Sequence, residues 1–279
     1  MNRTPRVAAV HDISALGRCS LTVILPVLSV MGVQCCPLQT AYLSAHTAFP
    51  ASKEAAFLDM TEEMAQTLRH WRELKVEFDA IYSGFLGSKA QIELLDGFIS
   101  SFRRKDTLVL VDPVLGDHGK LYRTFDDEMC RYMGSLASEA DLITPNLTEA
   151  ALLLGERYEN APGNGTGIED WLTRLSRKGR RSVVITGVRL NPGQVGACCF
   201  DRETGKCDSS MAEEVPGEFS GTGDLFAAVC LGALLRGNSL AAAMDLAVRF
   251  VSRCTGDTFK KSTPLLCGVE FEGLLPYLL

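Results

Sequence analysis

Residues 218–228 read EFSGTGDLFAA, a cluster of small residues and one aspartate set directly before an apolar run that continues to Leu235. Glycines let a backbone curl so that successive N–H groups face one point, and a helix N-terminus adds positive potential there, so GTGD followed by LFAAVCLGALL describes a nest for an anion. Asp224 fits that nest in two ways. An acid in a first turn stabilises its own helix by a few tenths to about 1 kcal/mol; alternatively, it takes a proton from a hydroxyl that is attacking phosphorus. The four residues alone leave the two readings even. A near-copy, CTGDTFKKS at 254–262, shows that the letters recur by accident; it lacks the first glycine and runs into lysines and Pro264, and it reads as a loop.

Around this turn the chain alternates strand-like and helix-like patterns. Short β-branched runs stand at 6–10 (RVAAV), 33–38 (VQCCPL), 79–85 (DAIYSGF), 108–114 (LVLVDPV), 141–144 (DLIT) and 182–186 (SVVIT), with helical stretches at 54–74, 88–103, 126–138 and 166–178. Repeated β-α-β units imply a mainly parallel sheet with helices on both faces and right-handed crossovers, in one α/β domain spanning 1–279. The stretch 19–32 reads as a helix kinked at Pro26. Residues 194–211 read as a hairpin added to the sheet, and helices at 223–236 and 239–254 close the chain.

Bulk properties narrow the function class. With 46% hydrophobic and 22% charged residues the chain can bury a large core. Its net charge of −6 and scattered basic residues give no nucleic-acid footprint. The start MNRTPRVAAVHD lacks the apolar core of a signal peptide, and no apolar run nears the roughly 20 residues that cross a bilayer, so a cytoplasmic protein is expected. The ten cysteines include no C-x-x-C and read as reduced, mostly buried hydrophobes, and the four histidines are too dispersed for a local metal motif.

In parallel sheets ligands bind beyond the carboxyl ends of the strands, so the residues placed there carry the chemistry. They include His11 and Asp12, Ser44 to Thr47, Ser83 to Gly87, Asp112 to Asp117, Thr144 to Glu149, and Thr186 with Gly187. Asn146 and Glu149 have the spacing of a helix capping box, and equally of an amide and an acid that organise Mg²⁺ around polyphosphate. Asp112 and Asp117 are either solvated turn acids or orienters of a cation, and the HGKLY that follows has the makings of a lid.

Taken in order, HDISALGR, SAHTAFP, YSGFLGS, VDPVLGD, ITPNLTEAALLLG, VVITG and GTGDLFAA resemble the ribokinase-like superfamily and, within it, the pyridoxal kinase (vitamin B6 kinase) family. The resemblance implies a three-layer α/β/α fold and transfer of the γ-phosphoryl of ATP to a primary alcohol. It implies Asp224 as the base for the 5′-hydroxymethyl group and Gly221, Thr222 and Gly223 as the anion hole. Asn146, Thr186 and Gly187 would contact ATP phosphates, Asp112, Asp117 and Glu149 would serve Mg²⁺, and adenine would lie near Val248 to Ser252. It further implies a monovalent cation, K⁺, and a homodimer binding only small molecules, with no nucleic acid and no membrane partner.

The acceptor side departs from that family. Asp12 stands where a serine is usual and Phe85 where a tyrosine is usual; His46 and Thr47 match its N-H-T segment with Ala45 in place of asparagine, and GRCSL replaces G-x-x-G-N. An acid at position 12 suggests a cationic partner, the aminomethyl group of pyridoxamine or of hydroxymethylpyrimidine; a local hydrogen bond is the alternative. A hydroxymethylpyrimidine kinase and a non-catalytic B6 or nucleotide sensor are the competing functions.

Overall fold

Successive residues of a strand face opposite sides of its sheet, and in the first strand both sides are apolar: Val7 and Ala9 enter one core, Ala8 and Val10 the other, and all four are fully buried. A strand of this kind is stable only when helices cover both faces. The computed structural model, which describes residues 3–50, 52–122, 125–163 and 165–279, shows that arrangement. In chain order the elements are β1 (Arg6–Ser14), α1 (Leu21–Val30), β2 (Gln34–Leu43), β3 (Phe57–Asp59), α2 (Thr61–Glu73), β4 (Ala80–Ser83), α3 (Lys89–Phe102), β5 (Leu108–Val111), β6 (Gly116–Asp117), β7 (Lys120–Leu121), α4 (Asp127–Ser138), β8 (Leu142–Ile143), α5 (Leu147–Leu154), α6 (Gly165–Leu175), β9 (Ser182–Val188), β10 (Gln194–Asp201), β11 (Lys206–Glu213), α7 (Thr222–Leu235) and α8 (Leu240–Lys260).

The main sheet runs β11-β10-β9-β8-β5-β4-β1-β2-β3. Its six middle strands are parallel, and antiparallel strands close both edges: β3 beside β2, and the hairpin of β10 and β11 beside β9. Helices α1, α7 and α8 share one core with Tyr82, Leu110 and Val184, whereas α2 to α6 cover the other with Ile81, Val109, Val111 and Val183. Helix α7 is buried along Leu225 to Ala233, which explains why its sequence is apolar all round rather than on one stripe. All ten cysteines are free thiols, as their spacing implies.

Three local readings change and one is kept. The stretch 254–262 is not a loop: through Lys260 it is the end of α8, because Cys254, Thr255 and Thr258 continue that helix's buried stripe and the Thr258 hydroxyl bonds back to the Cys254 carbonyl at 2.6 Å. Residues 54–74 divide into edge strand β3 and helix α2, with Asp59 turning the chain by accepting from the Thr61 N–H at 2.8 Å. The helix read through Pro26 is present as α1, with Pro26 inside it. His11 and Asp12 do not follow β1 but lie within it, at an irregularity where the register against β2 passes from His11↔Gln39 to Ile13↔Tyr42. Such a bulge re-aims side chains.

Candidate active site

The turn before α7 is built around a contact only glycine permits. Gly221 is the N-cap with φ of +77°, and a Cβ there would stand 1.9 Å from the Arg18 carbonyl oxygen. The loop after β1 is thereby pressed against the start of α7, and the Ser20 N–H donates to Asp224 Oδ2 at 2.7 Å. One carboxylate oxygen of Asp224 is fixed. The other, Oδ1, faces His11 Nδ1 at 4.0 Å, and 15% of the side chain is exposed, a narrow opening to solvent. Burial, and then the charge of Asp12, push the Asp224 carboxyl up to about 7; the Ser20 hydrogen bond opposes them.

Asp12 lies beneath this contact. Its Oδ1 accepts from the Ser20 hydroxyl at 2.6 Å and its Oδ2 from the Ser14 hydroxyl at 2.9 Å. Burial raises its pKa, and the two hydroxyls pull it back. The buried acid at position 12 thus has local partners, and a ligand amine is not required to satisfy it.

A second cluster stands over β5, β8 and β9. Asn146 caps α5 and forms a complete capping box with Glu149: Asn146 Oδ1 accepts from the Glu149 N–H and Glu149 Oε2 from the Asn146 N–H, both at 2.9 Å. Glu149 Oε1 also accepts from the Leu115 N–H at 3.1 Å, and the Asn146 amide donates to the Gly116 carbonyl at 2.9 Å. The cap therefore ties the VLGD loop to α5. Asp112 is 7% exposed, and burial and then the Asp224 charge push its carboxyl up to about 8. Burial and then the Asp112 charge hold Glu149 well above the usual carboxylate range. Thr186, inside β9, bridges to Asn146 and donates its N–H to the Pro145 carbonyl at 2.9 Å; Gly187 beside it has φ of +72°. Asp117 is exposed in the β6–β7 hairpin, its Oδ1 accepting from the His118 N–H at 2.8 Å.

The remaining expected positions make contacts of their own. His46 spends both ring nitrogens within the protein: Nε2 donates to the Leu266 carbonyl at 2.7 Å, and the Ala48 N–H reaches Nδ1 at 3.4 Å. Thr47 is exposed, and Phe85 is half-buried against Phe125 with ring centroids 5.7 Å apart. The Thr222 hydroxyl donates to the Phe219 carbonyl at 3.2 Å, and Gly223 follows in the first turn of α7. Two neighbours of Asp224 had no role given in the sequence: Ser20, whose signal was its place directly before an apolar helix, and His11, named there only as one of the strand-end residues.

A family model described as phosphomethylpyrimidine kinase matches residues 28–264, the span that carries Asp224 with its glycine turn and the second cluster but not β1 and the loop after it. The chain belongs to this kinase family. The kinase is 41% identical to a Bacteroides thetaiotaomicron protein provisionally named a phosphomethylpyrimidine kinase and solved in a form with pyridoxal; the match covers 99% of this chain and 96% of that one with a TM-score of 0.93. It is 33% identical to a Lactobacillus plantarum pyridoxal kinase over 99% of this chain and 97% of that one, with a TM-score of 0.90. A Dictyostelium discoideum pyridoxal kinase is 25% identical over 252 residues, 85% of this chain and 82% of its own. The fold of the kinase is the three-layer ribokinase-like arrangement that the pyridoxal kinases share. Among the described residues no helix is long and apolar enough to cross a membrane.

Proposed function

We propose that the protein transfers the γ-phosphoryl group of ATP to the 5′-hydroxymethyl group of a B6 vitamer, pyridoxal, pyridoxamine or pyridoxine, with Asp224 as the base. The observation that carries this reading is the Asp224 carboxylate itself: one oxygen held by the Ser20 N–H, the other open, at a glycine turn on a helix N-terminus. The acceptor O–H bond breaks with its proton going to Asp224 Oδ1, the alcohol oxygen forms the new bond to phosphorus, and the bond between phosphorus and the ADP oxygen breaks with its electron pair leaving on ADP. Phosphoryl transfer needs positioning and charge neutralisation rather than a protein nucleophile. The N–H groups of Gly221, Thr222 and Gly223, at the positive end of α7, supply part of that neutralisation.

The donor set fits Mg²⁺ arriving with ATP. Asp112 and Glu149 are buried acids, Asp112 raised by burial and the Asp224 charge and Glu149 by burial and the Asp112 charge, which suits them to a divalent charge. Among the described residues no group of three or more His, Cys, Asp or Glu is placed to hold a metal unaided; Mg²⁺ commonly keeps waters and phosphate oxygens among its ligands. Bound there, Mg²⁺ would neutralise charge on the phosphates. In this reading Asp112 and Asp117 face the ion, Glu149 fixes the VLGD loop beside it, and Asn146, Thr186 and Gly187 line the phosphates. Asp12 and His46 shape the acceptor side through the loops they tie, with Thr47 and Phe85 at its rim. A monovalent cation, a homodimer and a cytoplasmic setting belong to the same proposal.

ADP release with MgATP and a panel of pyridoxal, pyridoxamine, pyridoxine and hydroxymethylpyrimidine tests it. Turnover of the vitamers, abolished in Asp224→Ala with nucleotide binding kept, is expected. Turnover of hydroxymethylpyrimidine alone would move the assignment to the pyrimidine, and saturable binding without turnover would make the protein a sensor.

A further inference from the structure

His11 is fully buried on the α1–α7 side of the sheet, its ring edge-on to Tyr82 with centroids 4.3 Å apart. Space for it is made by Gly84, where a Cβ would stand 2.4 Å from ring atoms of His11. Neither ring nitrogen has a hydrogen-bond partner among the described residues. Burying two polar atoms unpaired is costly, and a histidine kept only for packing would be better replaced by an apolar side chain. What distinguishes this ring is its direction. Nδ1 faces, at 4.0 Å, the one Asp224 oxygen that Ser20 leaves free, so Ser20 and His11 address different oxygens of the carboxylate. Burial lowers the imidazole to about 3, which keeps it neutral, with one nitrogen able to donate and the other to accept.

We propose that His11 is the positioning residue of the base: wedged between Tyr82 and Gly84, it donates from Nδ1 to Asp224 Oδ1 and aims that oxygen at the acceptor hydroxyl. The 4.0 Å separation closes to a hydrogen bond when the acceptor and nucleotide seat, as happens at sites whose contacts tighten only in the reacting complex. His11 moves no proton itself; the alcohol proton still ends on Asp224. The inference rests on the reading of Asp224 as base.

Two variants test it together. His11→Leu keeps the volume without polar atoms, whereas His11→Asn places an amide nitrogen near the position of Nδ1. His11→Leu should lower kcat by about 10² with the KM for ATP nearly unchanged, the size of effect a displaced reacting group produces, and His11→Asn should recover most of the loss. Full kcat in His11→Leu, or equal loss in both variants, overturns the proposal. Should His11→Leu fail to fold, ¹⁵N-histidine spectra of the nucleotide-bound protein decide: with only four histidines, the His11 Nδ1 resonance should move upon Asp224→Asn, and an unmoved signal refutes the contact. Retained turnover in Asp224→Ala refutes the base reading, and this inference with it. A dead Asp224→Ala beside a fully active His11→Leu refutes this inference alone.

Discussion

Asp224 owes its chemistry to what surrounds it rather than to its own motif. The letters T-G-D occur twice, yet only the first copy has a glycine that accepts a left-handed turn and a loop carbonyl packed against it. A folded pKa near 7 gives a signed expectation. In the proposed role Asp224 works as carboxylate, so kcat should be at its plateau above about pH 7 and fall tenfold per unit below it, which a pH–rate profile at saturating substrates will read. A flat profile down to pH 5 would contradict it. Asp12 makes a contrasting case. The sequence offered an amine or a local hydrogen bond as its partner, and the Ser14 and Ser20 hydroxyls now fill that place. Asp12→Ser should therefore slow pyridoxal and pyridoxamine alike by loosening Ser20 against Asp224; a selective loss of pyridoxamine turnover would restore the amine reading.

At the level of elements, the capping box of α5 shows why two readings of one motif need not compete. Asn146 and Glu149 satisfy orphaned N–H groups of a helix with one atom of each side chain and, with the other, fasten the loop that carries Asp112 and Asp117. The sequence showed the spacing but not the loop it secures. Arg181 is an element-level feature that no motif announced. It is 6% exposed, its Nε donates to the Leu175 carbonyl at 2.7 Å and its Nη1 to the Ala137 carbonyl, so one guanidinium closes the ends of α6 and α4. Burial lowers its pKa to about 10, still far above neutrality, so it stays charged. Charge near helix C-termini and charge-assisted bonds are both stabilising. Arg181→Leu should cost about 2–3 kcal/mol and several degrees of Tm in calorimetry, with kcat unaffected because both helices lie on the face away from α7. An unchanged Tm would show that water serves those carbonyls equally well.

Across the whole molecule, function is set against stability at the strand ends. Asp112, with its carboxyl pushed up to about 8 by burial and by Asp224, binds its proton more tightly folded than unfolded. The sign follows: the folded state is favoured at low pH, and the advantage is lost as pH rises from about 4 through 8, where ionisation places a second charge beside Asp224. Asp112→Asn should then raise Tm above pH 8 by a few degrees in the absence of nucleotide, and lower kcat, since in the proposed reading that same charge serves Mg²⁺. A variant no more stable at pH 8.5 than the parent would show that the site relieves the repulsion without a cation.

The sequence by itself determined the layered α/β architecture, the appended hairpin and the strand-end placement of most of the acids. Hydrophobic period and turn residues are local properties, and they survive in the letters. Only the tertiary structure decided which acids share one field, which of two T-G-D copies opens a helix and which closes one, and that Ser20 and His11 address different oxygens of Asp224. Those outcomes depend on residues far apart along the chain coming together, as Ser20 and Asp224 do at hydrogen-bond distance across 204 positions. No local pattern encodes a separation of that kind; it is fixed only when β1, its loop and α7 pack against one another.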